Sequence, residues 1–229
     1  MKIKKDFSKI LGLCITILVP LITIMISIRL LITPLFTQVE YRMPGFPEDP
    51  FGFTFEDRLI WSEPSIRYLV NKKDILYLES LQFETGEQIF NEQELDHMED
   101  VKRVVSGMRI GLASALVILG VIHFIVVNSK QEKSIFVAYK RGGWGVIGII
   151  LSILIFVTLN FNKLFTWFHM LFFEGGTWQF YTSDTLIRLF PLRFWQDAFI
   201  FVSILSLIIG VIIIIFSNKH LETGILKEN

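Results

Sequence analysis

Four long apolar blocks divide this chain of 229 residues and restrict the folds that are open to it. They cover about residues 10–32, 108–128, 143–161 and 198–217. Hydrophobic residues make up 52% of the chain, and its mean hydropathy is +0.54. Each block, as a helix of about 20 residues, is long enough for roughly 30 Å of hydrocarbon. The sequence therefore predicts an all-α polytopic membrane protein with four transmembrane helices.

Basic residues predict the orientation of these spans. They concentrate in the N-terminal tail, 1–9, and in the link between the second and third blocks, 129–142: Lys2, Lys4, Lys5 and Lys9, then Lys130, Lys133, Lys140 and Arg141. Cytoplasmic segments carry such an excess of Lys and Arg. We therefore expect both of these segments and the C-terminal tail, 218–229, in the cytoplasm, which makes the protein N-in and C-in. The segments 33–107 and 162–197 would lie outside.

The first outer segment, 33–107, is acidic, with 15 Asp or Glu against 7 Lys or Arg. Alternating apolar residues around Thr85-Gly86 favour a β-hairpin over 81–90. Asn91 with Glu94 three residues later fits a capping box, so a helix should begin at Glu92 and continue to Asn128. The prediction for 33–107 is a small mixed α/β extracytoplasmic cap.

His97 lies on the projecting part of this predicted helix. Steps of three and four residues place it on the apolar stripe that faces other protein. Asp100, almost one turn further along, is placed to hydrogen-bond or orient the ring. The alternative is an ordinary interfacial histidine packed under a cap.

The second outer segment, 162–197, surrounds one histidine with aromatic residues. Its run 165–173 reads FTWFHMLFF, with His169 at the centre. This run is too short to be a further span, so we expect an interfacial or re-entrant helix. A titratable side chain at such depth is costly, which makes His169 a candidate functional residue. Ser183 or Asp184 should cap a short helix that ends near Pro191.

Several classes of function lack support in the sequence. It contains no HExxH, GxSxG or P-loop motif, and its net charge of zero gives no reason to expect a nucleic-acid partner. The one cysteine, Cys14, lies near the predicted cytoplasmic start of the first span. Two outer histidines with carboxylates and aromatic residues at the lipid boundary favour general acid–base chemistry on a lipid group. The alternatives are a non-catalytic accessory or sensor subunit that binds a partner through its cap, and a metal-dependent hydrolase, for which no ligand spacing is present.

Short runs along the whole chain resemble the bacterial lipoprotein intramolecular transacylase (Lit) family of integral membrane proteins. These runs are Tyr41–Pro47, Asp49–Phe53, Asp57–Leu59, Glu94–Val101, Phe168-His169, Gly176–Trp178, Ser183–Leu186, Phe190-Pro191 and Phe194–Asp197. The resemblance implies an enzyme that moves the sn-2 acyl chain of a diacylglyceryl-modified lipoprotein to the α-amino group of its N-terminal cysteine. It also implies a bacterial cytoplasmic membrane protein with its site on the extracytoplasmic face, in contact with membrane lipid.

The resemblance assigns roles to individual residues. His169 is the expected general base, and His97 would protonate the leaving glycerol oxygen or hold the amine. Candidate oxyanion donors are the Trp178 indole and backbone N–H groups near Gly176. Further supporting or substrate-binding candidates are Asp100, Asp184, Arg42, Asp57 and Arg58; the last three could hold the headgroup region or form a salt-bridge network in the cap. No cofactor or metal is expected, and the sequence leaves the oligomeric state open.

Overall fold

The computed structural model describes residues 5–129 and 132–228. In this part of the chain eight helices follow one another: α1 Lys5–Leu31, α2 Pro34–Glu40, α3 Phe55–Val70, α4 Leu76–Glu79, α5 Glu92–Asn128, α6 Glu132–Phe172, α7 Thr185–Leu189 and α8 Leu192–Glu228. Lys2, Lys4 and Lys130, which contribute to the predicted orientation, lie outside the described residues.

Four of these helices, α1, α5, α6 and α8, are long and apolar enough to cross a membrane. Large apolar side chains on them are left exposed by the protein itself, among them Ile110 at 69% and Val117 at 67%. Apolar surface on this scale requires a lipid environment. The prediction of a polytopic membrane protein with four transmembrane helices is confirmed.

The chain divides into two compact units. The first unit comprises the described residues of 1–29, 109–155 and 201–229, and the second unit comprises 30–108 and 156–200. The core of the first unit is aliphatic, with Ile15, Val146 and Ile150 almost fully buried. The core of the second unit is richer in aromatic residues and includes Tyr68 and Phe90.

Glycines allow close contact between helices inside the first unit. A Cβ added to Gly142 on α6 would lie 2.6 Å from Cβ of Val19 on α1, and one added to Gly143 would lie 2.7 Å from Cγ1 of Ile214 on α8. Such distances exclude any side chain, so backbone packs directly against side chain at both points. Ser206 also donates a buried hydrogen bond of 2.9 Å to the Ser27 hydroxyl, which joins α8 to α1.

The predicted mixed α/β cap is wrong, because the described residues form no β-strand. Segment 81–90 contains only an isolated antiparallel bridge between Gln82 and Gln88. The chain reverses at Gly86, where φ is 87°, and the last bond of the pairing joins Ile89 N to Leu81 O at 3.1 Å. A two-stranded pairing this short gains too little to extend into a ladder.

Helix α3 begins earlier than its proline suggests. Ser62-Glu63-Pro64 predicts a helix start, but α3 begins at Phe55, with Thr54 as its N-cap. The Thr54 hydroxyl accepts a hydrogen bond from Asp57 N, and the Asp57 carboxylate accepts one from Thr54 N, which completes a capping box. Pro64 therefore lies inside the helix.

An ion pair links the loop before α3 to α7 in the second unit. Nη2 and Nε of Arg188 both donate to Asp49 Oδ2, at 2.9 and 3.1 Å, and the guanidinium lies 3.4 Å from the Phe53 ring centroid. The Asp49 side chain is fully buried. Two charge-assisted hydrogen bonds to one carboxylate oxygen hold the loop against α7.

Candidate active site

His97 is held by a helix whose start is fixed by its own side chains. The predicted capping box is present: Asn91 N donates to Glu94 Oε2 at 2.8 Å, and Glu94 N donates to Asn91 Oδ1 at 3.0 Å. From this start α5 places His97 in the interior, with 8% of the residue exposed. The rings of Phe173 and Phe180 lie 4.9 and 5.3 Å from its ring.

His169 lies on the last turns of α6, beyond a break in that helix. Asn160 leaves the helical conformation, and its side-chain oxygen accepts from Lys163 N, which caps the segment that follows. His169 Nδ1 is 2.8 Å from the Phe165 carbonyl oxygen. A carbonyl only accepts, so Nδ1 carries the hydrogen and Nε2 of the neutral ring keeps its lone pair.

The two histidines face each other within the second unit. Their ring centroids are 6.2 Å apart and their planes differ by 20°. The indole of Trp178 packs on His169 at 4.7 Å. Two buried nitrogens, Nδ1 of His97 and Nε1 of Trp178, have no hydrogen-bond partner among the described residues. Buried polar groups are usually hydrogen-bonded, so these two nitrogens single out this place as a candidate site.

The segment that carries Trp178 is fastened to the start of α5. Gln93 Nε2 donates to the backbone oxygens of Gly176 and Gln179 at 3.4 and 3.0 Å. Gly176 has a φ of 93°, in the left-handed region that favours glycine, and this residue turns the chain back toward α5. The position of the indole thus depends on contacts made one turn before His97.

The other residues singled out from the sequence lie apart from this pair. Asp100 forms an ion pair with Arg103 at 2.9 Å, and no hydrogen bond from it to His97 is seen in the described chain. Asp184 accepts from Tyr181 N and stabilises the turn before α7.

Three further candidates, Arg42, Asp57 and Arg58, make local contacts. Arg42 lies over the Phe55 ring, Asp57 caps α3, and the buried Arg58 donates to Pro47 O at 2.6 Å. These contacts fit a network inside the second unit. They are a cation–π contact, a helix cap and a hydrogen bond to a backbone carbonyl.

The sequence did not predict all of the side chains that surround the two histidines or hold their neighbours in place. Phe165 belongs to the aromatic run 165–173 already noted, and its ring lies 4.1 Å from that of His169 on the same helix face. Phe180 and Gln93 had no signal, because their placement depends on a chain reversal between distant segments. Among the described residues no group of three or more His, Cys, Asp or Glu side chains is arranged to hold a metal ion.

A family model described as lipoprotein intramolecular transacylase Lit matches residues 13–195. The chain belongs to the Lit family. A relative in Aquifex aeolicus, itself described as an uncharacterised protein, is 31% identical over 222 residues, which are 96% of this chain and 95% of the relative.

Solved structures of Lit from Bacillus cereus share the fold. One has a TM-score of 0.77 at 15% identity and covers 97% of this chain and all of that chain. A variant of the same enzyme with a histidine replaced by arginine gives 0.76 at 16% identity, over 97% and 95% of the two chains. Family membership confirms the resemblance seen in the sequence: the chain is an integral membrane enzyme of the lipoprotein intramolecular transacylases, and its family implies a lipoprotein substrate.

Proposed function

We propose that this enzyme moves the sn-2 acyl chain of a diacylglyceryl-modified lipoprotein from glycerol to the α-amino group of the lipoprotein's N-terminal cysteine. The product is a lyso-form lipoprotein, and no acyl-enzyme intermediate forms. The observation that carries the proposal is the pair of buried imidazoles, 6.2 Å apart inside an aromatic wall. Such a pair can move a proton in both directions without a protein nucleophile.

His169 acts as the general base. The attacking α-amine has an ordinary pKa near 8 and loses a proton as it adds to the ester carbonyl. The bond from Nδ1 to the Phe165 carbonyl directs the lone pair of Nε2 away from its own helix backbone. Nε2 is therefore the atom that accepts the amine proton as the N–C bond forms.

His97 and Trp178 complete the reaction. The Trp178 N–H stabilises the tetrahedral oxyanion, because its buried nitrogen needs an acceptor. The proton taken by His169 passes to His97, and His97 gives it to the leaving oxygen as the C–O bond to glycerol breaks. One N–C bond replaces one C–O bond, so substrate and product are isomers and the enzyme returns to its starting state.

Two features of the reaction reduce the demands on the protein. Donor and acceptor belong to one molecule, so proximity supplies much of the rate. Exchange of an ester for an amide is favourable, and neither nucleotide nor metal enters the scheme.

The proposed orientation puts this site where lipoproteins are anchored. With both termini in the cytoplasm, His97 and His169 lie on the extracytoplasmic face, and the C-terminal end of α5 and the N-terminal end of α6 lie inside. The aromatic run 165–173 then rests at the outer lipid boundary, within reach of a substrate held by its acyl chains.

The test compares His169→Ala and His97→Ala with the wild type in cells that make a diacylglyceryl lipoprotein. Substrate and product have equal mass, so tandem mass spectrometry must locate the acyl chain on the cysteine nitrogen. Each variant should lose about 10²-fold or more of the conversion.

A matched control removes a histidine outside the site. His123 in the first unit contacts the Tyr139 hydroxyl at 3.2 Å, and His123→Ala should leave the conversion unchanged. Normal N-acylation by either site variant would refute the acid–base assignment. Chelator treatment of the membranes should leave wild-type activity intact, and its loss would favour the metal-dependent alternative.

A further inference from the structure

A cleft of about 340 Å³ lies in the second unit, and its walls, among the described residues, come from one stretch of chain, 41–58. A volume of this size is sufficient for a bound ligand. Pro47, Glu48 and Gly52 line the cleft and are exposed, so it opens to the surroundings. Neither histidine of the proposed site lines it, and the transacylation scheme gives it no role.

Aromatic side chains form the apolar part of these walls. Phe46, Phe53 and Phe55 are only partly buried, and Tyr41 packs on Phe46 with ring centroids 5.2 Å apart. Clefts lined by aromatic rings suit extended peptides, whose side chains pack on the rings. An acyl chain would leave the polar groups of the cleft without partners.

The polar part of the cleft centres on Arg58. This residue is 6% exposed, and the rings of Phe46 and Tyr41 lie 5.3 and 6.0 Å from its guanidinium carbon. Nη1 donates to Pro47 O, whereas Nε is buried and has no partner among the described residues. The arginine side chain only donates hydrogen bonds, so the ligand that suits it offers an acceptor.

The charges in the lining are nearly balanced. Asp49 is fully buried and is bound by Arg188, so its charge is already paired. The remaining charges are the cation of Arg58 and the anion of the exposed Glu48. A phosphate would be repelled by Glu48, and an ammonium group would be repelled by Arg58. A neutral acceptor such as a peptide carbonyl meets neither penalty.

Helix α7 connects the cleft to the helix that carries His97. Arg188 holds Asp49 in the wall of the cleft, and Leu186 N on the same short helix donates to Glu94 Oε1 at 2.6 Å, near the start of α5. His97 follows Glu94 by three residues. The cleft and His97 are therefore held by contacts to one and the same helix.

We infer that this cleft binds the polypeptide that follows the lipidated cysteine of the lipoprotein substrate. Arg58 donates to a backbone carbonyl, and the aromatic rings pack on the side chains beside it. This inference rests on the proposed function, which supplies a diacylglyceryl lipoprotein as the substrate and puts the second unit on the extracytoplasmic face. The enzyme then recognises the protein part of its substrate as well as the lipid part.

Photo-crosslinking with the full-length enzyme in detergent tests this inference without requiring acyl transfer. The probe is a diacylglyceryl lipopeptide whose α-amine is acetylated and so cannot accept an acyl chain. A photoreactive leucine is placed roughly three to eight residues after the cysteine, which covers about 10–26 Å of extended chain. Trypsin cleaves after Arg42 and Arg58, so the label should be found on the fragment 43–58. Label found only on other fragments, such as 74–102 with His97 or 164–188 with His169, overturns the inference.

A blocking variant tests the space inside the cleft. Glu48→Trp puts an indole there and should reduce the labelling of 43–58 about tenfold. Glu84→Trp makes the same change at an exposed position outside the lining, and it should label as the wild type does. An excess of unlabelled lipopeptide should displace the probe, and phosphatidylglycerol should not. Normal labelling in Glu48→Trp overturns the inference, and so does equal competition by phosphatidylglycerol, since the cleft would then hold a lipid headgroup.

Acyl transfer gives a second readout. The wild type should convert a lipopeptide of about ten residues with a kcat/KM roughly tenfold above that of diacylglyceryl cysteine amide, through a lower KM. This ratio should fall toward one in Glu48→Trp and in Arg58→Lys, which keeps the charge but loses the fork of donors. A ratio that stays at the wild-type value in Glu48→Trp overturns the inference. If neither substrate is converted while the probe still labels 43–58, the proposed reaction fails and the peptide site stands.

Discussion

At the scale of single residues, His97 and His169 differ in what their nitrogens contact. His169 has a fixed hydrogen bond to its own helix, whereas the buried Nδ1 of His97 has no partner among the described residues. The tautomer of His169 is therefore fixed by its own helix, whereas the tautomer of His97 depends on the group that binds beside it. This asymmetry supports separate roles for the two rings in the proposed proton transfers.

Trp178→Phe separates the stacking role of this side chain from its hydrogen bond. Phenylalanine keeps a ring against His169 but removes the buried N–H, so kcat should fall by about 10²- to 10³-fold with little change in KM. Steady-state conversion of a diacylglyceryl lipopeptide measures both constants. The control is Trp167→Phe, since Trp167 is 55% exposed and packs on Phe156. An unchanged kcat in Trp178→Phe would remove the indole from the mechanism.

Glu40, at the end of α2, is a second residue with an unusual setting. It is fully buried, and neither carboxyl oxygen has a donor among the described side and main chains. Burial, together with the neighbouring carboxyl of Asp197, raises the pKa of Glu40 to about 8, although Arg193 opposes the shift. A hydrogen bond between two carboxyl groups needs a shared proton, so Glu40 is protonated at neutral pH.

This proton makes the stability of the protein depend on pH. A raised pKa in the folded state stabilises the fold fully below the ordinary value near 4.5, and this contribution is lost as the pH rises through about 8. Glu40→Gln keeps the shape without the titration. Its unfolding temperature in detergent should therefore rise relative to the wild type between pH 5 and about 9. Glu48 is exposed, so the unfolding temperature of Glu48→Gln should follow that of the wild type at every pH. If the difference between Glu40→Gln and the wild type stays constant with pH, the shared proton is contradicted.

At the scale of elements, Glu94 joins the N-termini of two helices. Its carboxylate accepts from Asn91 N at the start of α5 and from Leu186 N in α7 at 2.6 Å. The Thr185 hydroxyl adds a bond of 2.6 Å to Ile89 O. These bonds fasten the C-terminal end of the segment between Phe173 and α7, which carries Trp178, to the start of α5.

Glu94→Ala should destabilise the protein and slow acyl transfer together. The buried Leu186 N–H and the N–H of the exposed Asn91 lose their acceptor, and the buried group alone costs roughly 1–3 kcal/mol. Chemical unfolding in detergent measures the loss, and lipopeptide conversion reports whether the Trp178 segment has moved. The exposed Glu92→Ala offers a neighbour on the same turn that should behave as wild type. Full stability in Glu94→Ala would show that the two helix starts are held by other contacts.

Helix starts that depend on residues within one turn were predictable from the sequence. Contacts between segments far apart in the chain were not. The capping box of Asn91 and Glu94 placed the start of α5 at the observed residue, because both partners lie within one turn. Thr54 and Asp57 carry a similar capping box, and this local signal, rather than Pro64, marks the start of α3. Segment 81–90 reverses at Gly86 and pairs at Gln82 and Gln88, but this pairing is too short to form strands, so the mixed α/β cap was wrong. His97 and His169 were found from residue type and span position, but Phe180 required knowledge of how the chain reverses at Gly176.

At the scale of the whole molecule, the proposed chemistry depends on which side of the membrane receives the second unit. Cys14 is the only cysteine, so a Cys14→Ala background allows single cysteines to report topology. Glu84→Cys should react with a membrane-impermeant maleimide on intact cells, and Lys219→Cys should react only after permeabilisation. The reverse pattern would put the histidines in the cytoplasm and separate them from anchored lipoproteins.

The contact between Gly142 and Val19 has a consequence for how this family can diverge. Since a Cβ at position 142 would lie 2.6 Å from the valine Cβ, a lineage that gains alanine there keeps its helix spacing only if position 19 becomes glycine. An alanine at position 19 keeps the Cβ and therefore keeps the steric restriction on position 142. Related sequences should therefore change at these two positions together, and the pair should appear as covariation between two helices more than a hundred residues apart.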